Sequence, residues 1–298
     1  MGWQQVTMPV GTFQSEALEN ALLEAGAAAI SYTDAADQPI LEPLPGEAPL
    51  WHDARLSALF ADDLPYEQIS LALVAKLGVL PEGIEVELLA DRAWEREWLR
   101  HFQPTDFGHG LWVAPTDAEV AAGPNATVLR LDPGLAFGTG THATTALCLQ
   151  RIAALDLTGE TLLDYGCGSG ILAVAGLLRG ASHAVCQDID PQALTATKAN
   201  AEVNGVSDRI TVSLPPEASA LLPEPVPVVV ANILAGPLIA LAPRIAQALQ
   251  PGGRLLLSGI LDAQADTVRA AYQSWIEFAP IARQDGWVML EGLRRNGV

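Results

Sequence analysis

Residues 162–170 read LLDYGCGSG, an apolar run carrying Asp164 that enters a turn with glycines at Gly166, Gly168 and Gly170. Glycines at that spacing let the backbone come close to a bound molecule. Asp188 follows 22 residues after Gly166, at the end of the run HAVCQDI, where a carboxylate can accept both hydroxyls of a ribose. Asn232 closes the run VPVVVAN, and an amide after four apolar residues must find partners. Upstream, LDPGLAFGTGTHATTALCL sets Phe137 and the hydroxyls of Thr139, Thr141, Thr144 and Thr145 around a turn rich in glycine (Gly134, Gly138, Gly140). A helix is expected to start near Thr141.

The spacing decides among ligands. A triphosphate loop needs G-x-x-x-x-G-K-[ST], and no lysine follows these glycines. A dinucleotide loop wants G-x-G-x-x-G/A, but Ile171 occupies the sixth position and Gly170 falls one residue early. A ligand without phosphates remains. S-adenosyl-L-methionine fits, because its amino acid, sulfonium, ribose and adenine ask for carboxylates and close backbone. Asp164 can bind the ammonium directly or through water, and Asp188 the ribose. An acidic second-strand end alone does not separate this ligand from NAD; the loop spacing together with Asp164 does. Phe137 and the threonines could close over the methionine side. Bland readings stand beside these: glycine turns also serve packing, Thr141 and Asn232 can cap or turn, and Asp190 before Pro191 suits a helix N-cap. Cys167 is a small side chain in a crowded turn rather than a nucleophile.

These residues need a sheet to hold them. From Thr161 onward strand-like and helix-like segments alternate as in parallel βαβ units. The last two apolar runs, FAPIAR and WVMLEGL, flank QDG, whose Asp-Gly favours a tight hairpin and makes the final strand antiparallel. The expected architecture is α/β, a seven-strand, mostly parallel sheet with one reversed strand, over residues 125–298. Residues 1–90 read strand, helix, two strands, helix, strand, the order of a ferredoxin-like split βαβ module. The proline-rich residues 39–51 form a loop between its middle strands. Residues 91–124 read as a helical linker and connecting segment, in which Trp94 and Trp98, four apart, serve as packing anchors.

Bulk properties narrow the class. Half of the 298 residues are apolar, enough for real cores in two domains. No basic-then-apolar leader and no run of eighteen uncharged apolar residues occurs, so a cytoplasmic location is expected. Cys148, Cys167 and Cys186 form no C-x-x-C pair, and the five histidines show no metal-binding spacing, so no protein-bound metal is expected. A net charge of −19 disfavours nucleic acid and favours a cationic partner, or serves solubility alone.

Taken in order, LDPGLAFGTGTHATT, LLDYGCGSGILA, CQDIDPQAL and ANILAGPL resemble the bacterial methyltransferase family that modifies ribosomal protein eleven of the large subunit. The resemblance covers nearly the whole chain. The glycine loop is shared by class I methyltransferases at large, whereas the Phe-Gly-Thr-Gly-Thr-His segment paired with Asn-Ile-Leu-Ala is far more specific. It implies a ferredoxin-like substrate-recognition domain on a seven-strand Rossmann-like catalytic domain, with cofactor contacts at Thr145, Gly166, Asp188 and Asn232, and Asn232 also catalytic. It further implies transfer from S-adenosyl-L-methionine to the α-amine and lysine ε-amines of that protein, free before ribosome assembly, with no direct nucleic-acid partner and no membrane. Two rivals stay open: a small-molecule or RNA methyltransferase on the same scaffold, and a non-catalytic adenosylmethionine-binding regulator.

Overall fold

Alternation along β1 (Trp3–Pro9) buries Gln4, Val6 and Met8 and leaves Gln5 and Thr7 on the other face, the period of a strand covered on one side. In the computed structural model, which describes residues 2–11, 13, 15–36, 51, 53–89, 103–131, 140, 142–215 and 224–297, the chain divides into two units, Met1–Trp94 and Glu95–Val298. The first continues with α1 (Ser15–Glu24), β2 (Ala29–Asp34), β3 (Ala54–Ala61), α2 (Tyr66–Leu77) and β4 (Glu85–Leu89). Its antiparallel sheet runs β2-β3-β1-β4, the split βαβ order read from the sequence. Val6, Met8, Leu56 and Phe60 from the sheet meet Leu18, Leu22, Ile69 and Leu73 from the two helices in a core of their own. The proline-rich loop, apart from Trp51, and residues 91–102 of the expected connector lie outside the described residues.

The second unit opens with β5 (Thr105–Asp106), β6 (Leu111–Pro115) and β7 (Thr127–Leu131), a three-stranded sheet in the order β5-β6-β7. Within the expected connecting segment, Leu111 and Val113 on β6 are buried in the same cluster as Leu129 on β7 and helix residues further on, and this stretch falls in the second unit.

The chain continues α3 (Ala143–Ala154), β8 (Thr161–Tyr165), α4 (Ile171–Leu178), β9 (His183–Gln187), α5 (Pro191–Val203) and β10 (Ile210–Ser213). Then follow β11 (Val226–Asn232), α6 (Ala235–Ala240), α7 (Ala242–Ala248), β12 (Leu249–Leu261), α8 (Ala265–Tyr272), β13 (Ile276–Phe278), β14 (Ala282–Gln284) and β15 (Trp287–Arg294). The main sheet runs β10-β9-β8-β11-β12-β15-β13, with β14 also paired to β15. Strands β8 to β12 are parallel and β15 is reversed. One apolar cluster joins α3 and α4 to the sheet, another α6, α7 and α8, so both faces are covered.

The sheet has eight strands instead of seven because FAPIAR splits. Pro280 has no N–H to donate, and the pairing with β15 shifts between Phe278↔Gly292 and Ala282↔Met289. The expected hairpin is present: Asp285 and Gly286 carry φ of 50° and 80° between β14 and β15. Between β11 and β12 the helical segment is broken into α6 and α7, since Pro243 at the start of α7 cannot extend the α6 ladder. No helix among the described residues is long and apolar enough to cross a membrane.

Glu291 on β15 ties this sheet to α3. Arg151 donates to it through Nε at 2.6 Å and Nη2 at 2.8 Å, and Arg254 on β12 pairs with it too. Burial alone would raise its carboxyl, but the two guanidiniums outweigh that and hold it below the usual glutamate value. Glu291→Gln is expected to cost about 1–3 kcal/mol in urea unfolding at pH 7. Because the native value is depressed, this contribution is present above about pH 4.3 and lost as pH falls through the lower native value. Wild type and variant should therefore converge in strong acid. A constant gap down to pH 3 would show that the lost stability is packing, not charge.

Candidate active site

β8 ends at Tyr165, and the glycine turn that follows is fastened from several sides. Gly166 and Cys167 N–H donate to Gln187 O at 2.7 and 3.1 Å, which binds the turn to the end of β9. Gly168 N–H donates to Asp188 Oδ2 at 2.9 Å. From α5, Thr197 Oγ1 donates to Gly168 O at 3.0 Å and Asn200 Nδ2 to Ser169 O at 2.8 Å. Thr197 and Asn200 were not singled out in the sequence. Their signal is two polar residues on the buried stripe of α5 with Ala193 and Ala201, but the partner that satisfies them is a loop 30 residues away in sequence. Cys167 is 6 % exposed with its sulfur 3.4 Å from Thr197 Oγ1, as a small side chain in a crowded turn should be.

Asp188 stands just beyond β9, half-buried, with Oδ2 on Gly168 and Oδ1 accepting Asp190 N–H at 3.0 Å. A carboxylate so braced keeps lone pairs for a diol while fixing the loop. Asp190 caps α5 by accepting Gln192 N–H at 2.8 Å, ahead of Pro191. Between the two acids Ile189 is 84 % exposed, an apolar surface beside the carboxylate that suits a flat heterocycle. Sequence reasoning passed over it, since nothing in the pattern CQDID says which side chain faces out.

Asp164, expected to meet the ligand ammonium directly or through water, lies at the end of β8 in a buried setting. Its carboxylate is 1 % exposed beneath the loop, with Oδ2 accepting Ala173 N–H at 3.1 Å and Oδ1 buried without a partner. Burial pushes its carboxyl up to about 7; the Ala173 N–H opposes that and the Asp188 charge adds to it.

Asn232 closes β11 as expected, at the carboxyl end of the parallel strands and next to the point where strand order reverses between β8 and β11. Its Nδ2 donates to Thr145 Oγ1 at 3.1 Å on α3, where Thr145 is buried. The corner after it is clamped by two glycines. A Cβ on Gly166 (φ +81°) would sit 2.3 Å from Ile233 Cγ2, and one on Gly259 (φ +82°) 2.3 Å from Ile233 O. Only glycine admits both the backbone angle and the approach.

The helix expected near Thr141 begins at Ala143, and its cap is His142, whose Nδ1 accepts Thr144 N–H at 3.4 Å and lies 2.8 Å from Thr144 Oγ1. Ser258 Oγ donates to Thr144 O at 3.1 Å, tying that helix start to β12. The His142 ring meets Trp287 edge-on at 5.0 Å. Trp287 pairs with Leu261 at the same end of the sheet as Asn232, so its contact with His142, a pairing of a turn residue with a strand residue that the sequence did not disclose, lies at that end of the sheet. Phe137, Thr139 and Thr141 lie outside the described residues.

Together these groups fit an adenosylmethionine-like ligand better than a phosphate one. The turn of residues 166–170 carries no basic side chain, while Asp188 offers acceptors, Ile189 an apolar face and Asp164 a buried unpartnered oxygen.

Comparison with known proteins agrees over the full length. Residues 2–295 match the family described as Ribosomal protein L11 methyltransferase. A relative of that name from Azotobacter vinelandii is 50% identical over 297 residues, covering 99% of this chain and 100% of its own. One from Pseudomonas aeruginosa PAO1 is 50% identical over 299 residues, covering 99% of each. Among solved structures, a ribosomal protein L11 methylase from Lactobacillus delbrueckii subsp. bulgaricus superposes with a TM-score of 0.58 at 29% identity, over 65% of this chain and 100% of that one. The chain belongs to the ribosomal protein L11 methyltransferase family.

Proposed function

We propose that this chain transfers methyl groups from S-adenosyl-L-methionine to ribosomal protein L11, onto its N-terminal α-amine and lysine ε-amines, before the protein joins the ribosome. The observation that carries the reading is Asn232, held by Thr145 at the carboxyl end of β11 beside the braced glycine turn. S-adenosyl-L-methionine, when bound, supplies an electrophilic methyl on a sulfonium.

The chain must supply the rest. Asp188 accepts the ribose hydroxyls, Ile189 takes the adenine face, and the backbone at Gly166 and Gly168 permits close approach. Asp164 offsets the ammonium from below. An incoming lysine is an ammonium with no lone pair, and with a pKa of about 10.4, exposing the neutral amine at pH 7 costs roughly 4–5 kcal/mol. A partly desolvated site next to a positive charge lowers that cost. Asn232 gives its Nδ2 to Thr145, which leaves Oδ1 to accept an amine N–H and aim the lone pair. His142 and Trp287 border the entry for the lysine stem. Asn232 is followed by Ile233-Leu234-Ala235, without an aromatic platform for a planar amide or base, which suits a tetrahedral amine.

The first unit, with its own core, is the module we assign to substrate recognition, and the net charge of −19 steers a cationic protein rather than nucleic acid. Incubation with labelled S-adenosylmethionine and purified L11, read by mass spectrometry, should show methyls on the α-amine and lysines; unmodified L11 would reject the reading. A chain starting at Glu95 should keep cofactor affinity and lose L11 methylation by about 100-fold or more, since docking through a second unit raises local concentration to that degree. Undiminished methylation by that truncation would end the division of labour.

A further inference from the structure

Among the described residues of the site, Asp164 is the one group with a buried polar atom lacking a hydrogen-bond partner. It lies under the glycine turn, 1 % exposed, with Oδ2 on the Ala173 amide and Oδ1 buried without a hydrogen-bond partner. The groups that face it are Cys148 from α3, Cys186 beside it on β9, Asp188 past the end of β9, Val230 on β11 and the α4 amide. None of these is a cation. Burial pushes Cys148 up to about 12, and Cys186 is pushed up by its hydrogen bond with Cys167 and by burial, so both are neutral thiols at pH 7. A carboxylate with one bare oxygen in such surroundings is costly, and a carboxylic acid far less so.

We propose that Asp164 is a neutral acid in the cofactor-free protein and becomes a carboxylate when the cationic cofactor seats over the turn, so that cofactor binding releases a proton. This rests on the S-adenosylmethionine reading above. The O–H bond of Asp164 breaks, its electron pair stays on the carboxylate, and the proton passes to the solvent buffer. The ligand ammonium then faces an anion that did not exist before it arrived, which makes Asp164 a positioning residue for the amino-acid end. With the free carboxyl pushed up to about 7, the acid form dominates at pH 6, and protons compete with the cofactor there. Affinity should therefore be about fivefold tighter at pH 7 than at pH 6 and level off above pH 7.

The ligand α-amine titrates at about pH 8, above this window. The variant Asp164→Asn isolates the contribution of the carboxyl, because it removes only the acid. Calorimetric titration of the full chain with S-adenosylmethionine at pH 6, in two buffers of different ionisation enthalpy, counts the protons. Wild type should release about 0.9 proton per cofactor and the variant close to none, with its affinity flat between pH 6 and 7. No release by wild type, or equal release by the variant, overturns the proposal. Should the variant fail to fold, the infrared difference spectrum of wild type decides: the carbonyl band of a protonated carboxyl must vanish on cofactor addition, and its absence before addition sinks the idea. Wild type that binds no cofactor at any pH would instead remove the reading beneath it.

Discussion

Asp188→Ala is expected to weaken S-adenosylmethionine binding by about 100-fold or more, with thermal unfolding shifted by only a few degrees. Two charge-assisted hydrogen bonds to ribose hydroxyls are worth about 3 kcal/mol together. The same carboxylate accepts from Gly168 and Asp190 N–H, so its removal also frees the turn that the ligand must meet. Both amides are close enough to solvent for water to replace the lost acceptor, which is why the fold should survive. Asp188→Asn sharpens the test, as it keeps size and one acceptor but presents N–H groups where two oxygens are needed. Calorimetry on the three proteins orders them: wild type tightest, then Asn, then Ala. Unchanged affinity in Asp188→Ala would reject the ribose assignment, and a large loss of stability would mean that the turn depends on the carboxylate more than the ligand does.

What the sequence disclosed here was local. LLDYGCGSG names a strand, a turn and a helix start because glycine spacing and apolar runs are properties of neighbours, and Asn232 could be placed at a strand end for the same reason. The Asp-Gly hairpin was legible because its turn requires positive φ at two adjacent residues. Breaks inside continuous apolar segments were less so. FAPIAR and the stretch around Pro243 contain a residue that cannot donate, yet whether proline ends an element or merely bends it depends on what the neighbouring strand or helix demands. Contacts across the fold were not legible at all. Thr197 and Asn200 fasten a turn in another segment, Ile233 fits between two distant glycines, and Trp287 meets His142 over 145 positions of sequence. Asp164 shows the limit most clearly: its type and position suggested a ligand contact, and nothing in the sequence said that its carboxyl is 1 % exposed with one oxygen lacking a hydrogen-bond partner.

Asn232→Ala should lower the rate of methyl transfer by about 100-fold or more while weakening cofactor binding by less than about tenfold. The amide is pinned on both sides, by Thr145 through its Nδ2 and by the Gly166–Ile233–Gly259 corner through its backbone, an arrangement that fixes a direction more than it adds binding surface. Orientation of this kind acts mainly in the transition state, and a misplaced reacting group costs about two orders of magnitude. Thr145→Val provides a graded control. It preserves shape within the buried start of α3 but removes the acceptor for Nδ2, leaving Asn232 present and free to rotate; an intermediate loss of rate, about tenfold, is expected with cofactor affinity nearly intact. Single-turnover rates at saturating S-adenosylmethionine, set beside measured affinities for the same proteins, separate the two effects. If Asn232→Ala binds cofactor poorly and turns over normally once saturated, the amide is an anchor for the cofactor and the substrate amine is aimed by something else.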